Sequence, residues 1–160
     1  LFLISSGVGQ NSNKIVLNDD IQNFLFSTQD ILKEYIKVEN YIFSPLLDTI
    51  ETKDYNSSSN LLELYHYNLV EIKNNFYQKN KFQSNDTEKK LLRVLDNYIE
   101  KLSKTILQLK LISLKLDNVF SYSMDDYSKD LDTYQKLKDD YMNEGELLNI
   151  ILSKFLIKTY

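Results

Sequence analysis

The pair Glu63 and His66 is the first place in this chain where side chains could do chemistry. A glutamate three residues before a histidine lies on the same helix face, and this unit ligates metal in di-iron four-helix bundles. Such sites combine two of these units with further glutamates, whereas His66 is the only histidine in the sequence. We therefore expect His66 to flank an apolar helix face, and we predict neither a metal site nor a cofactor.

Nucleophilic and acid–base catalysis find little support in the rest of the sequence. A Ser-His-Asp triad would need His66 as its base, and the Gly-x-Ser-x-Gly turn that presents many catalytic serines does not occur. Adjacent carboxylates occur at 19–20, 125–126 and 139–140, but neighbouring side chains on a helix point about 100° apart and do not converge. The sequence therefore predicts a protein that is not an enzyme.

The composition excludes several other classes of protein. The chain has 160 residues, which suits one domain with a sizeable core, and it lacks cysteine, which rules out disulfides and thiolate zinc sites. Its net charge of −4 argues against nucleic acid as a partner, because phosphate binding needs a basic surface. Three glycines and one proline supply few of the tight turns of an all-β fold, which favours helices.

The first half of the chain predicts two helices. The first begins after Asn18, an N-cap residue followed by two aspartates, and reaches Pro45, where we expect a kink or a very short break. The stretch KDYNSSSN at 53–60 is typical of a loop. The second helix is expected to start at an Asn60 cap and to end in the polar stretch 78–85.

The second half predicts two longer helices. One opens at Asp86 and carries apolar residues at coiled-coil spacing from Leu92 to Phe120, and the other follows a turn at 121–126 and keeps its seam as far as Phe155. Four helices joined by short polar loops predict an all-α fold, an elongated, antiparallel up-down-up-down four-helix bundle in which helices three and four are long.

We expect residues 18–160 to form this single domain. The preceding residues 1–17 begin with LFLISSG, which resembles the end of the apolar region of a signal peptide. Residues 1–17 are therefore expected to be either the remnant of a targeting region or a segment that packs on the bundle.

Helix three carries a second apolar stripe. In the stretch ILQLKLISLKLD at 106–117, Leu107, Leu111 and Leu114 lie almost opposite the seam on a helical wheel. Two interpretations stay open: residues 1–17 cover this stripe, or it is an exposed patch that meets a partner, a second copy or a membrane.

Helix four repeats this pattern near its end. There Leu147, Ile150 and Ile157 point away from the predicted seam. Gly145 falls on that seam, where the missing side chain would let a neighbouring backbone approach closely.

Charge is predicted to separate along the bundle. In the antiparallel arrangement one end collects basic residues, a candidate surface for anionic lipid next to the apolar end of helix four. These residues are Lys79, Lys81, Lys89, Lys90, Arg93, Lys154 and Lys158. The acidic residues expected at the opposite end are Asp48, Glu51, Asp54, Asp117, Asp125, Asp126, Asp130 and Asp132.

The residue mix in YNSSSNLLELYHYNLVEIKNNFYQKNKFQSND, the absence of cysteine and the four seams across 18–158 resemble a family of secreted malaria-parasite proteins. These are the small sporozoite microneme proteins essential for cell traversal, which are four-helix bundles. The resemblance implies a non-enzymatic protein, stored in a secretory organelle or held at the cell surface, that acts in traversal or invasion of host cells. Its implied partners are the host-cell membrane or a host or parasite surface protein.

Surface lipoproteins of AT-rich bacteria such as spirochaetes share the same mix and often fold as helical bundles. A bacterial surface lipoprotein or adhesin that binds a host protein is therefore the alternative expectation. In either case we expect a monomer or a weak homo-oligomer.

Overall fold

The computed structural model describes residues 14–45, 53–79 and 85–157, and these form four long helices. The helices are α1 (Asp19–Phe43), α2 (Tyr55–Lys79), α3 (Asp86–Leu116) and α4 (Met124–Leu152). Helix α1 packs on α2, α2 on α3 and α3 on α4. The predicted all-α four-helix bundle is confirmed, and the 31 residues of α3 give it a length of about 46 Å.

Hydrogen bonds between the helices fix their antiparallel order. At one end, the Ser113 hydroxyl donates to the Tyr55 carbonyl at 2.7 Å, and the Lys53 ammonium donates to the Ile42 carbonyl at 3.0 Å. At the other end, the Asn18 backbone N–H donates to the Glu88 carboxylate at 3.4 Å. The starts of α1 and α3 therefore share one end of the bundle.

Polar caps explain where three helices begin. Asn18 and Ser123 accept backbone N–H bonds at the starts of α1 and α4, and Asn85 forms a reciprocal capping box with Glu88 at the start of α3. The predicted starts of helices one and three are confirmed.

Helix α2 begins at Tyr55, so the prediction of a loop at 53–60 with an Asn60 cap was wrong. Asp54 accepts the Ser57 backbone N–H at 2.9 Å and the Ser57 hydroxyl at 2.7 Å, and this stabilises the first turn. Ser58 and Ser59 are buried, and their hydroxyls donate to carbonyls four residues earlier. A serine-rich stretch can therefore be helical when its hydroxyls find such partners.

The end of α1 resolves the expectation at Pro45. The helix ends at Phe43, and Ser44 is extended (φ −64°, ψ 143°), as is usual for a residue before proline. The chain therefore breaks here instead of continuing through a kink, and residues 46–52 lie outside the described ranges.

Helix α3 ends at Leu116, four residues earlier than predicted. Val119–Ser121 form a single 3-10 turn, and Phe120 is fully exposed, so its assignment to the seam was wrong. Asn and Asp are poor helix formers, and Asp117 with Asn118 interrupts the periodic pattern. At the other end of this helix Leu91, and not Leu92, is the fully buried residue.

The chain ends differ from the all-helical expectation. Helix α4 stops at Leu152, and β2 (Phe155–Leu156) pairs in parallel with β1 (Ile15–Val16), Ile15 aligned with Phe155. Phe155 is buried as predicted, but in a strand, and Ile157, which was predicted to face away from the core, is 2% exposed. Residues 1–13 and 158–160 lie outside the described ranges.

Candidate functional surfaces

The bundle end that holds β1, β2, the end of α2 and the start of α3 carries the described part of the predicted basic cluster. We call this the basic end, defined by five exposed residues: Lys79, Lys89, Lys90, Arg93 and Lys154. Lys81 and Lys158 lie outside the described ranges. None of the five defining residues forms an ion pair with another residue that the structure describes.

Acidic residues also lie at this end, although only basic residues were predicted there. Asp19, Asp20, Asp86 and Glu88 occupy the first turns of α1 and α3. Glu88 is 8% exposed because it serves in the capping box, so it contributes little to the outer surface. The end is therefore mixed in charge at its rim and basic on the outward side of α3.

Helix dipoles do not account for the basic residues of α3. Lys79 lies in the last turn of α2, where a cation is favourable. Lys89, Lys90 and Arg93 instead follow a helix start, where negative charge is preferred. Lys89 and Arg93 are four residues apart, a spacing at which like charges repel on a helix surface. The helix dipole therefore does not explain the placement of these three basic residues.

Exposed aliphatic side chains lie beside these cations. Ile15 and Val16 of β1 are 41% and 54% exposed, and Leu147 and Ile150 of α4 are 49% and 62% exposed. The Ile15 backbone N–H donates to the carbonyl of Lys154 at 3.2 Å, so apolar and basic groups adjoin. The outward direction predicted for Leu147 and Ile150 is confirmed.

The second apolar stripe of α3 is exposed, and no described residue covers it. Leu107, Leu111 and Leu114 are 41%, 40% and 46% exposed. The pairs Glu63–Lys110 (3.2 Å) and Tyr77–Asp96 (2.7 Å) lie 14 residues apart on both helices and so define the register of α2 against α3. We call this surface the outer face, defined by Tyr67 and Val70 of α2 with Leu107, Leu111 and Leu114 of α3.

The Glu63 and His66 pair lies beside this face. Glu63 pairs with Lys110, and burial together with the nearby Lys110 ammonium lowers the pKa of the half-buried His66. Within the described ranges, no three metal-ligating side chains come together.

A buried polar cluster joins α1 to α4, and the sequence reasoning missed it. Glu39 is 8% exposed and accepts hydrogen bonds from the Tyr35 hydroxyl at 3.1 Å, from the Tyr134 hydroxyl and from the Lys138 ammonium. Burial raises the pKa of Tyr35 and of Tyr134, so both phenols stay neutral donors. The spacing of Tyr35 and Glu39 indicates part of this cluster, because residues four apart on a helix are neighbours and can hydrogen-bond.

Beside this cluster, a cavity of about 430 Å³ opens between α1 and α4. Burial raises the pKa of Tyr141 in its wall to about 12. Gly145 also lines it, and a Cβ atom there would lie 3.2 Å from a ring carbon of Tyr98. The close neighbour predicted at Gly145 is therefore an aromatic side chain and not a backbone.

No family model, curated protein or solved structure matches the chain. Among the described helices, none combines the length and apolar character needed to cross a membrane.

Proposed function

We propose that the protein is a non-enzymatic, secreted or surface-exposed helical bundle that acts by contact at a host cell and binds anionic lipid through its basic end. The observation that carries this proposal is the adjacency of unpaired cations and exposed aliphatic side chains at one end of the bundle. Such a combination is how a peripheral protein holds a membrane surface.

The energetics of the end suit a reversible contact. Each lysine or arginine near an anionic leaflet contributes about 1 kcal/mol, and this attraction is screened by salt. The four aliphatic side chains can enter the headgroup region without any change of fold. A role in host-cell traversal or invasion is in keeping with such binding, and it draws on the resemblance for its biological setting.

The test is co-sedimentation with vesicles of a zwitterionic lipid containing an anionic lipid. The triple variant Lys89→Glu, Lys90→Glu, Arg93→Glu is expected to lose about 3 kcal/mol or more of binding free energy, a weakening of over 100-fold. The matched control is Lys33→Glu, Lys129→Glu, Lys136→Glu, which makes the same charge change at exposed positions away from the basic end. The proposal fails if the wild-type protein does not bind anionic vesicles at low salt, or if the control variant weakens binding as much as the triple variant at the basic end.

The alternative is a bacterial surface lipoprotein or adhesin that binds a host protein through the exposed leucines of α3. It predicts binding to a host protein that persists without anionic lipid and is abolished by Leu107→Glu with Leu111→Glu.

A further inference from the structure

We infer that the outer face binds a second copy of this chain, with the two-fold axis parallel to the helices. The inference is independent of the proposed lipid binding, because the outer face and the basic end are separate surfaces.

The charges of the outer face suit a second copy. The whole chain has a net charge of −4, so two copies repel each other over most of their surfaces. On the outer face Glu63 pairs with Lys110 at 3.2 Å, and Glu100 pairs with Lys104 at 3.2 Å. The charges within these two pairs cancel, so the pairs themselves do not repel a second copy.

The register of α2 and α3 makes the face self-complementary. With Glu63 level with Lys110, Tyr67 lies level with Leu107 to within about 2 Å along the helix axis. A two-fold axis parallel to the helices keeps these heights and places α2 of each copy on α3 of the other. Tyr67 then meets Leu107 of the second copy, and this contact occurs twice, as an isologous interface requires.

The size of the face is adequate. Its five apolar side chains are 40% to 61% exposed and together present roughly 400 Å², which is within the range for the largest patch of a monomer. A standard interface buries about 800 Å² per partner, including a polar rim. Asn60, Asn74, Glu71 and Lys104 are exposed around the five and can supply that rim.

The first experiment measures the mass of the full chain by sedimentation over concentrations from about 1 to 500 μM. Wild type is expected to dimerise, and Leu107→Glu with Leu111→Glu is expected to raise the dissociation constant at least ~100-fold, since it desolvates charge at the centre of the interface. The control Leu147→Glu with Ile150→Glu places the same charges on exposed aliphatic positions of α4 and should leave the dimer intact. A monomeric wild type, an unaffected double variant or an equal loss in the control overturns the inference.

The second experiment does not depend on the stability of the glutamate variants. Because the chain has no cysteine, Tyr67→Cys and Leu107→Cys can be made as two separate single-cysteine proteins. On mild oxidation their equimolar mixture should give several-fold more disulfide-linked dimer than a mixture of Leu107→Cys with Ser128→Cys, a control at an exposed position on α4. Equal yields overturn the inference, and so does binding of a host protein by a chain that stays monomeric.

Discussion

Replacing Glu39 by alanine should destabilise the bundle far more than the same change at Glu34, although both glutamates lie on α1 and both form ion pairs. Glu39 is 8% exposed and accepts hydrogen bonds from Tyr35, Tyr134 and Lys138. Glu34 pairs with Lys37 at 3.0 Å, and these two side chains are 50% and 71% exposed.

The magnitude follows from the groups left behind. The Tyr35 and Tyr134 hydroxyls also hydrogen-bond to each other, so removal of the Glu39 carboxylate leaves one buried phenol O–H without an acceptor. An unsatisfied buried group costs about 1–3 kcal/mol. The Lys138 ammonium is 26% exposed and can turn to water, so its loss is small. The expected total is about 1–3 kcal/mol, against about 0.5 kcal/mol or less for Glu34→Ala.

Urea unfolding followed by far-UV circular dichroism measures both changes. For a chain of 160 residues, the Glu39→Ala effect corresponds to a fall in Tm of roughly 2–12 °C. If Glu39→Ala and Glu34→Ala unfold at the same urea concentration, the polar cluster does not hold α1 to α4 and the reasoning is refuted.

Two further outcomes follow from burial and from charge. Leu102→Ala should lower the free energy of unfolding by about 2–5 kcal/mol because Leu102 is fully buried. Leu147→Ala should lower it by about 1 kcal/mol or less because that side chain is 49% exposed. Urea unfolding measures both changes, and equal values would contradict the assignment of Leu102 to the core. The lone His66 should titrate in NMR with its pKa below the ordinary value, and Lys110→Ala should raise that pKa part of the way back, since burial is the larger cause and Lys110 the second. The pKa of His66 is lower in the folded than in the unfolded chain, so the free energy of unfolding should fall as the pH drops from the unfolded-state pKa to the folded-state pKa. A His66→Gln variant should lack this pH dependence.

The sequence predicts the helices well where caps and periodic leucines agree. Asp86 marks the predicted start of α3, and the leucines at three- and four-residue spacing run along its buried side. The predictions failed at 53–60, where no such periodicity exists, and at Phe120 and Phe155, where the periodic spacing continues past the end of the helix. The serines after Tyr55 become helical because their hydroxyls donate to the backbone, and Phe155 pairs with a strand from the other end of the chain. Neither contact leaves a local pattern.

The surfaces were predictable only in part. The wheel identified Leu107, Leu111 and Leu114, because direction on a helix depends on spacing alone. The contribution of Tyr67 and Val70 to the same face depends on the register between α2 and α3, which is set by contacts between helices. The Glu39 cluster was missed for the same reason, since Tyr134 lies 95 residues away in sequence.

A single fluorescent label tests most directly whether the basic end contacts the membrane. The chain has no cysteine, so an environment-sensitive dye can be attached at Ile150→Cys near the basic end, or at Leu111→Cys on the outer face. Adding anionic vesicles should shift the emission of the Ile150 label to the blue and leave the Leu111 label unchanged, because only the first enters the headgroup region. A shift at Leu111 with none at Ile150 would contradict the assignment of the basic end as the membrane-contacting surface.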